Sequence, residues 1–109
     1  MLWKRIGELD KEGERALVVG VVITTMENHI ILDDGTGKLR VYHDEPWKVN
    51  LKSVVIAAGI IISVDQSFKE MKADAIADIS GIDIKLLKRV EMIRDMSTRL
   101  VLEKGDVIG

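Results

Sequence analysis

There is no cysteine among the 109 residues, which excludes disulfides, zinc–thiolate sites and cysteine nucleophiles together. A reducing cytoplasm is the compartment that fits. Long apolar runs are also missing. Although 47% of the residues are hydrophobic, charges or glycines break every stretch before the roughly 18 residues that a spanning helix needs. Met1-Leu2-Trp3-Lys4-Arg5-Ile6 lacks a secretory apolar segment, so neither a membrane helix nor a signal peptide is expected. Net positive charge is absent as well. A formal charge of −2 argues against a strong, independent nucleic-acid binder, because phosphate neutralisation supplies most of such a protein's affinity. Rings for base stacking are scarce: two Trp, one Tyr and one Phe. Labile amides are limited to Asn28, Asn50 and Gln66. With 31% charged residues, this is a composition of thermophilic type.

What is present has the spacing of one small β domain. Residues Ala16 to Ile23 are β-branched and apolar around Gly20, and a glycine inside such a run marks a bulge or a sharp bend. His29 to Asp33 forms a second strand that runs into Asp33-Asp34-Gly35-Thr36-Gly37, a hairpin signal. Lys38 to Tyr42 alternates, with Leu39 and Val41 on one face and Lys38, Arg40 and Tyr42 on the other. Ser53 to Val64 is a second long β-branched run interrupted by a glycine, Gly59. Phe68 to Ile79 has a period of two, so it reads as a strand despite its alanines. The apolar set Leu2, Trp3, Ile6 and Leu9 reads as an irregular or single-turn segment packed on the barrel. Five strands at hairpin spacing predict a closed five-stranded barrel with Leu32, Leu39, Val41, Val55, Ile61 and Ala73 inside.

Ser80-Gly81-Ile82-Asp83 matches a capping box, and a helix is expected from Ile82 to Lys104 with Gly105 as its C-cap. Its apolar stripe is Ile82, Leu86, Val90, Ile93 and Leu100, widened by Leu87 and Met96, above a solvated face of Lys85, Lys88, Arg89, Arg94 and Arg99. At 1.5 Å per residue such a helix runs about 34 Å, longer than a small barrel. The expected class is therefore all-β with a C-terminal helix, divided into a barrel with an N-terminal extension (1–79) and a helix and tail for assembly (80–109).

The run Val18-Val19-Gly20-Val21-Val22 followed by Ile30-Ile31-Leu32-Asp33-Asp34-Gly35-Thr36-Gly37-Lys38-Leu39-Arg40-Val41 resembles the OB-fold domains of the replication protein A family. The likeness is to the domains of its middle and small subunits and of its archaeal relatives. The glycine-bent fourth strand (Val54 to Ser63) and Lys72-Ala73-Asp74-Ala75-Ile76 extend it, so that it covers about Arg15 to Ile79. The resemblance implies single-stranded DNA or RNA on the outer face of the second and third strands, with the loops after strands one and four. It also implies a C-terminal helix that assembles with other OB-fold subunits or with itself, through Leu86, Val90, Ile93 and Leu100. Asp44 and Glu45 depart from the pattern, since they place negative charge where the family's better strand binders carry an aromatic.

Each candidate has two readings. Lys38, Arg40 and Tyr42 are two cations and a stacking ring on one strand face, or an ordinary solvated face. Trp47 with Lys48 and Lys52 is a ring and two cations at the groove edge, or, with Pro46, a plug in the barrel end. Phe68, Lys69 and Lys72 flank a loop that grips strands in OB folds, or Phe68 closes a hairpin. Thr24, Thr25, Met26 and Asn28 are most simply a turn. Asp33 and Asp34 serve the turn's own backbone rather than a metal. Gly35-Thr36-Gly37-Lys38 lacks phosphate-loop spacing. His29 and His43 have no ligand partners at metal spacing, and they are expected to face solvent. No cofactor, metal or catalytic constellation is implied. Two functions remain open: a weak single-strand-binding subunit in replication and repair, and a protein-interaction OB module that binds no nucleic acid.

Overall fold

The computed structural model describes residues 2–43, 49–65 and 68–81. Six strands form one sheet: β1 (Leu2–Trp3), β2 (Arg15–Thr25), β3 (His29–Asp33), β4 (Lys38–Tyr42), β5 (Val54–Val64) and β6 (Lys69–Asp78). Their order is β1-β2-β3-β4-β6-β5, and a further β2–β5 pairing closes β2 to β6 into a barrel. All contacts around the barrel are antiparallel except β4–β6, which is parallel. This is the five-stranded Greek-key topology of the OB fold.

The alternation along each strand builds the core. Leu32, Leu39, Val55 and Ile61 are fully buried, Val41 is nearly so and Ala73 is 6% exposed, as the sequence pattern predicts. The alanine-bearing segment is strand β6 rather than helix. Its small side chains suit the place where β5 bulges between Ala58 and Gly59. A Cβ on Gly59 would collide with the Lys72 carbonyl oxygen and lie 2.7 Å from Ala73 Cα, so only glycine lets the two backbones approach there. In β2 the irregularity falls at Val22–Thr24, and not at Gly20, which stays in regular pairing with Val55.

Two expectations need correction. The barrel is joined by a sixth, two-residue strand: β1 pairs in parallel with Ala16 and Leu17, a contact too short to leave any periodicity in the sequence. The expected class, all-β with a C-terminal helix, is not what the structure has. Among the described residues there is no α-helix, and the one helical element is a 3-10 turn at Ile6–Glu8. The stretch after Gly81, with Leu86, Val90, Ile93 and Leu100, lies outside the described residues.

That 3-10 turn plugs one end of the barrel with Ile6 and Leu9, both buried. Ile6 N–H donates to Asp34 Oδ2 at 2.8 Å, and Gly7 N–H donates to Thr36 Oγ1 at 2.9 Å. The outer face of β2 and β5 is apolar between Leu17 and Ile23 on one strand and between Val54 and Ile62 on the other, with Arg15 at its edge opposite Ile60. Val19 pairs with Ile56 and Val21 with Val54, while Val21, Ile23 and Ile62 are exposed. A depression of about 470 Å³ lies over Val19, Val21, Ile23 and Val54, beside Asp33–Gly35.

Candidate nucleic-acid interface

Strand β4 lies between β3 and β6, and the registers on its two sides set up rows across the outer face. His29 sits opposite Tyr42, which sits opposite Lys72. Ile31 sits opposite Arg40, which sits opposite Glu70. Because side chains alternate, Lys38, Arg40 and Tyr42 all leave the barrel on this side, as expected from the sequence.

The middle row is tightly coupled. Glu70 Oε2 accepts from Arg40 Nη1 at 3.0 Å and from the Tyr42 hydroxyl at 2.7 Å. The Tyr42 hydroxyl and, secondarily, Arg40 hold the Glu70 carboxyl below the usual carboxylate range, against the opposing effect of partial desolvation. Arg40 Nη1 also donates to the Tyr42 hydroxyl at 3.4 Å, and this bond first, then that to Glu70, raises Arg40 further above its ordinary value. Behind Glu70 the Arg40 guanidinium lies over the Phe68 ring, 4.6 Å from its centroid, within cation–π range. Phe68 also closes the β5–β6 turn through its carbonyl, which accepts from Asp65 N–H at 3.1 Å.

Tyr42 remains half-buried with its ring against His29, the centroids 5.4 Å apart and the planes at 56°. His29 Nδ1 lies 2.8 Å from Asn28 Oδ1, which accepts the Nδ1 proton in this geometry. Lys38 and Lys72 are exposed and make no ion pair among the described residues. Lys69 is elsewhere: paired with inward-facing Leu39, it turns toward the barrel end and donates to the Ile6 carbonyl at 2.8 Å. Trp47 and Lys48 lie outside the described residues.

The loop aspartates serve the backbone, as their position before glycine predicts. Asp33 Oδ1 accepts from Gly35 N–H, and Asp34 Oδ1 from both the N–H and the hydroxyl of Thr36. Gly35 itself has φ of +87°, which a side chain rarely adopts. A cleft of about 320 Å³ is lined by Ile6, Gly7, Thr36, Lys38, Phe68 and Lys69. Among the described residues no group of three or more His, Cys, Asp or Glu could hold a metal ion. No helix among them is long and apolar enough to cross a membrane.

Two members of this face, Glu70 and His29, escape the sequence reading. Glu70 stands 30 positions from Arg40 and reaches it only through the parallel β4–β6 pairing, which no local pattern announces. The offset of His29 from Tyr42 follows from the hairpin register, so a strict pairing of the two strands would have found it.

No family model matches the chain, and no curated protein matches it in sequence. Solved structures do match. Telomere capping protein Ten1 from Saccharomyces pombe superposes with a TM-score of 0.65 at 14% identity, covering 89% of this chain and 98% of that one. A replication factor A related protein from Methanobacterium thermoautotrophicum gives 0.58 at 20% identity, covering 74% and 94%. A chain of a replication protein A heterotrimer bound to single-stranded DNA gives 0.58 at 14% identity, covering 87% and 77%. At 20% identity or less these likenesses establish the fold alone. The chain is an OB-fold barrel of the kind that replication and telomere-capping proteins also use.

Proposed function

We propose that this chain binds single-stranded DNA on the outer face of β3, β4 and β6, as a weak-binding subunit of a replication protein A-like assembly acting in replication and repair. The observation that carries the reading is the row His29–Tyr42–Lys72, with Lys38 farther along β4 beyond the Arg40–Glu70 row. It sets two adjacent rings beside Lys72 on a face where Lys72 and Lys38 make no ion pair among the described residues. Stacked rings with flanking cations are what sequence-tolerant strand binding uses. The weakness follows from charge: the chain is −2 overall, and Arg40, the third cation of the face, is already paired with Glu70. The solved structures with the same fold include a heterotrimer bound to single-stranded DNA, which supports both the ligand class and the assembly.

The test is a titration of labelled oligothymidylate against the full chain at low and moderate salt. The reading expects measurable binding at low salt, with Lys38→Ala and Lys72→Ala each lowering the salt slope by about one ion. No binding at low salt, or slopes unchanged in both variants, overturns it. The same titration with an RNA strand decides between the two nucleic acids.

A second reading, a protein-interaction module, is favoured by one observation: the apolar outer face around Val19, Val21, Ile23 and Val54, where Val21 is 38% and Ile23 40% exposed. Contiguous apolar surface of this kind marks contact with another protein. Analytical ultracentrifugation of the full chain across micromolar concentrations addresses it, and a monomer throughout removes self-association from that reading.

A further inference from the structure

Glu70 holds the position on this face that a strand phosphate would use. Its Oε2 takes one guanidinium N–H of Arg40 and the hydroxyl of Tyr42 together, the paired donors that an anionic phosphodiester oxygen also accepts from. Phe68 supports the guanidinium plane from beneath, so the Arg40 head group is held in place. The carboxylate is an uncommon neighbour for a surface proposed to meet a polyanion. It cancels the Arg40 charge, and it stands 2.7 Å from the hydroxyl of Tyr42, the ring proposed to stack on bases.

We infer that Glu70 is a built-in stand-in for a strand phosphate, occupying the anion position of Arg40 and Tyr42 in the free protein and competing with the strand for it. The inference rests on the reading of this face as a strand groove. In the free protein Glu70 positions Arg40 and Tyr42. When a strand arrives, its phosphate either repels this carboxylate or displaces it. The groove is thereby biased toward ligands that bring stackable bases and against those that bring phosphate alone. It is a device for weak and readily reversible binding, set by one side chain. Glu70 stays ionised throughout the neutral range, because its neighbours favour the charged form, so the competition is constant and not a pH switch.

The experiment compares oligothymidylate binding by the full chain and its Glu70→Gln variant over a range of salt. Glutamine keeps acceptors for Tyr42 and Arg40 but removes the charge. The expected result is binding tighter by roughly two- to fivefold at low salt, within the range that one exposed charge interaction spans. The salt dependence should be steeper by about 0.7 in slope, because one further cation then meets phosphate on a single strand. A role limited to holding the fold would not steepen the salt slope. Glu12→Gln, an exposed carboxylate in the turn before β2, controls for net charge and should change affinity by less than about twofold at moderate salt, where distant charges are screened. In the Arg40→Ala background, Glu70→Gln should give most of its gain back, since the cation it frees is gone. Should the variant fail to fold, the wild type answers instead: oligothymidylate must shift the carboxyl carbon resonance of Glu70. Wild-type binding with an unchanged or weaker Glu70→Gln variant, or an unmoved Glu70 resonance at saturation, overturns the inference and leaves the groove standing. If neither protein binds, the groove itself is wrong, and the competition falls with it.

Discussion

The Tyr42 hydroxyl donates to Glu70 Oε2 at 2.7 Å across the parallel β4–β6 pair, so one hydrogen bond fixes the ring that the groove would offer to a base. Removing the ring and removing the hydroxyl are therefore different experiments. Tyr42→Ala should weaken oligothymidylate binding by roughly 1–3 kcal/mol, the worth of one stacked base. Tyr42→Phe keeps the π-face and should lose much less. Fluorescence anisotropy with a labelled strand separates the two, and equal affinities in wild type and Tyr42→Ala would remove stacking at this position.

The same bond makes a prediction about pH. A carboxyl held below its usual range contributes stability that is complete above its unfolded pKa, about 4.3 for glutamate, and is lost as pH falls through the lower folded value. Wild type should therefore exceed Glu70→Gln by up to about 1 kcal/mol at pH 7, a modest figure because the pair is partly exposed. The gap should close on acidification below that range. Thermal melts of both proteins from pH 7 to pH 3 check it.

Gly59 and Gly35 should respond to alanine for opposite reasons. At Gly59 the new Cβ meets the Lys72 carbonyl oxygen, a backbone atom in the neighbouring strand that cannot step aside. The cost should reach at least ~3 kcal/mol, the upper end for overpacking. At Gly35 there is nothing within 4 Å, and only the backbone angle is unfavourable, so about 1–2 kcal/mol is expected. Urea denaturation of the two variants ranks them.

Asp34 ties the β3–β4 turn to the N-terminal 3-10 turn. Asp34→Ala removes the acceptors for Ile6 N–H and for Thr36, and should cost about 1.5–3 kcal/mol, as hydrogen bonds to a charged group do. Native-state hydrogen exchange should show the Ile6 amide losing protection while those of β5 keep theirs.

Alternation alone predicts the barrel's interior. The inward sets of the third, fourth and fifth main strands are visible in Leu39 and Val41, in Val55 and Ile61, and in Ala73, because a half-buried strand cannot hide its period of two. The hairpin turn was equally legible. Asp33-Asp34-Gly35-Thr36-Gly37 carries its hydrogen-bond acceptors and its left-handed glycine within five residues. Local chemistry sufficed for both.

The character of the outer face was decided by tertiary structure. From the sequence, Lys38, Arg40 and Tyr42 are two cations and a ring on one strand, and Lys69 looks like a third cation for the groove. Folding delivers Glu70 to Arg40 and Tyr42 through a parallel pairing between strands 30 positions apart, and it turns Lys69 back onto the Ile6 carbonyl. Composition and alternation fix which way a side chain points. Which charge stands opposite depends on strand order and register, and those are settled only when the barrel closes.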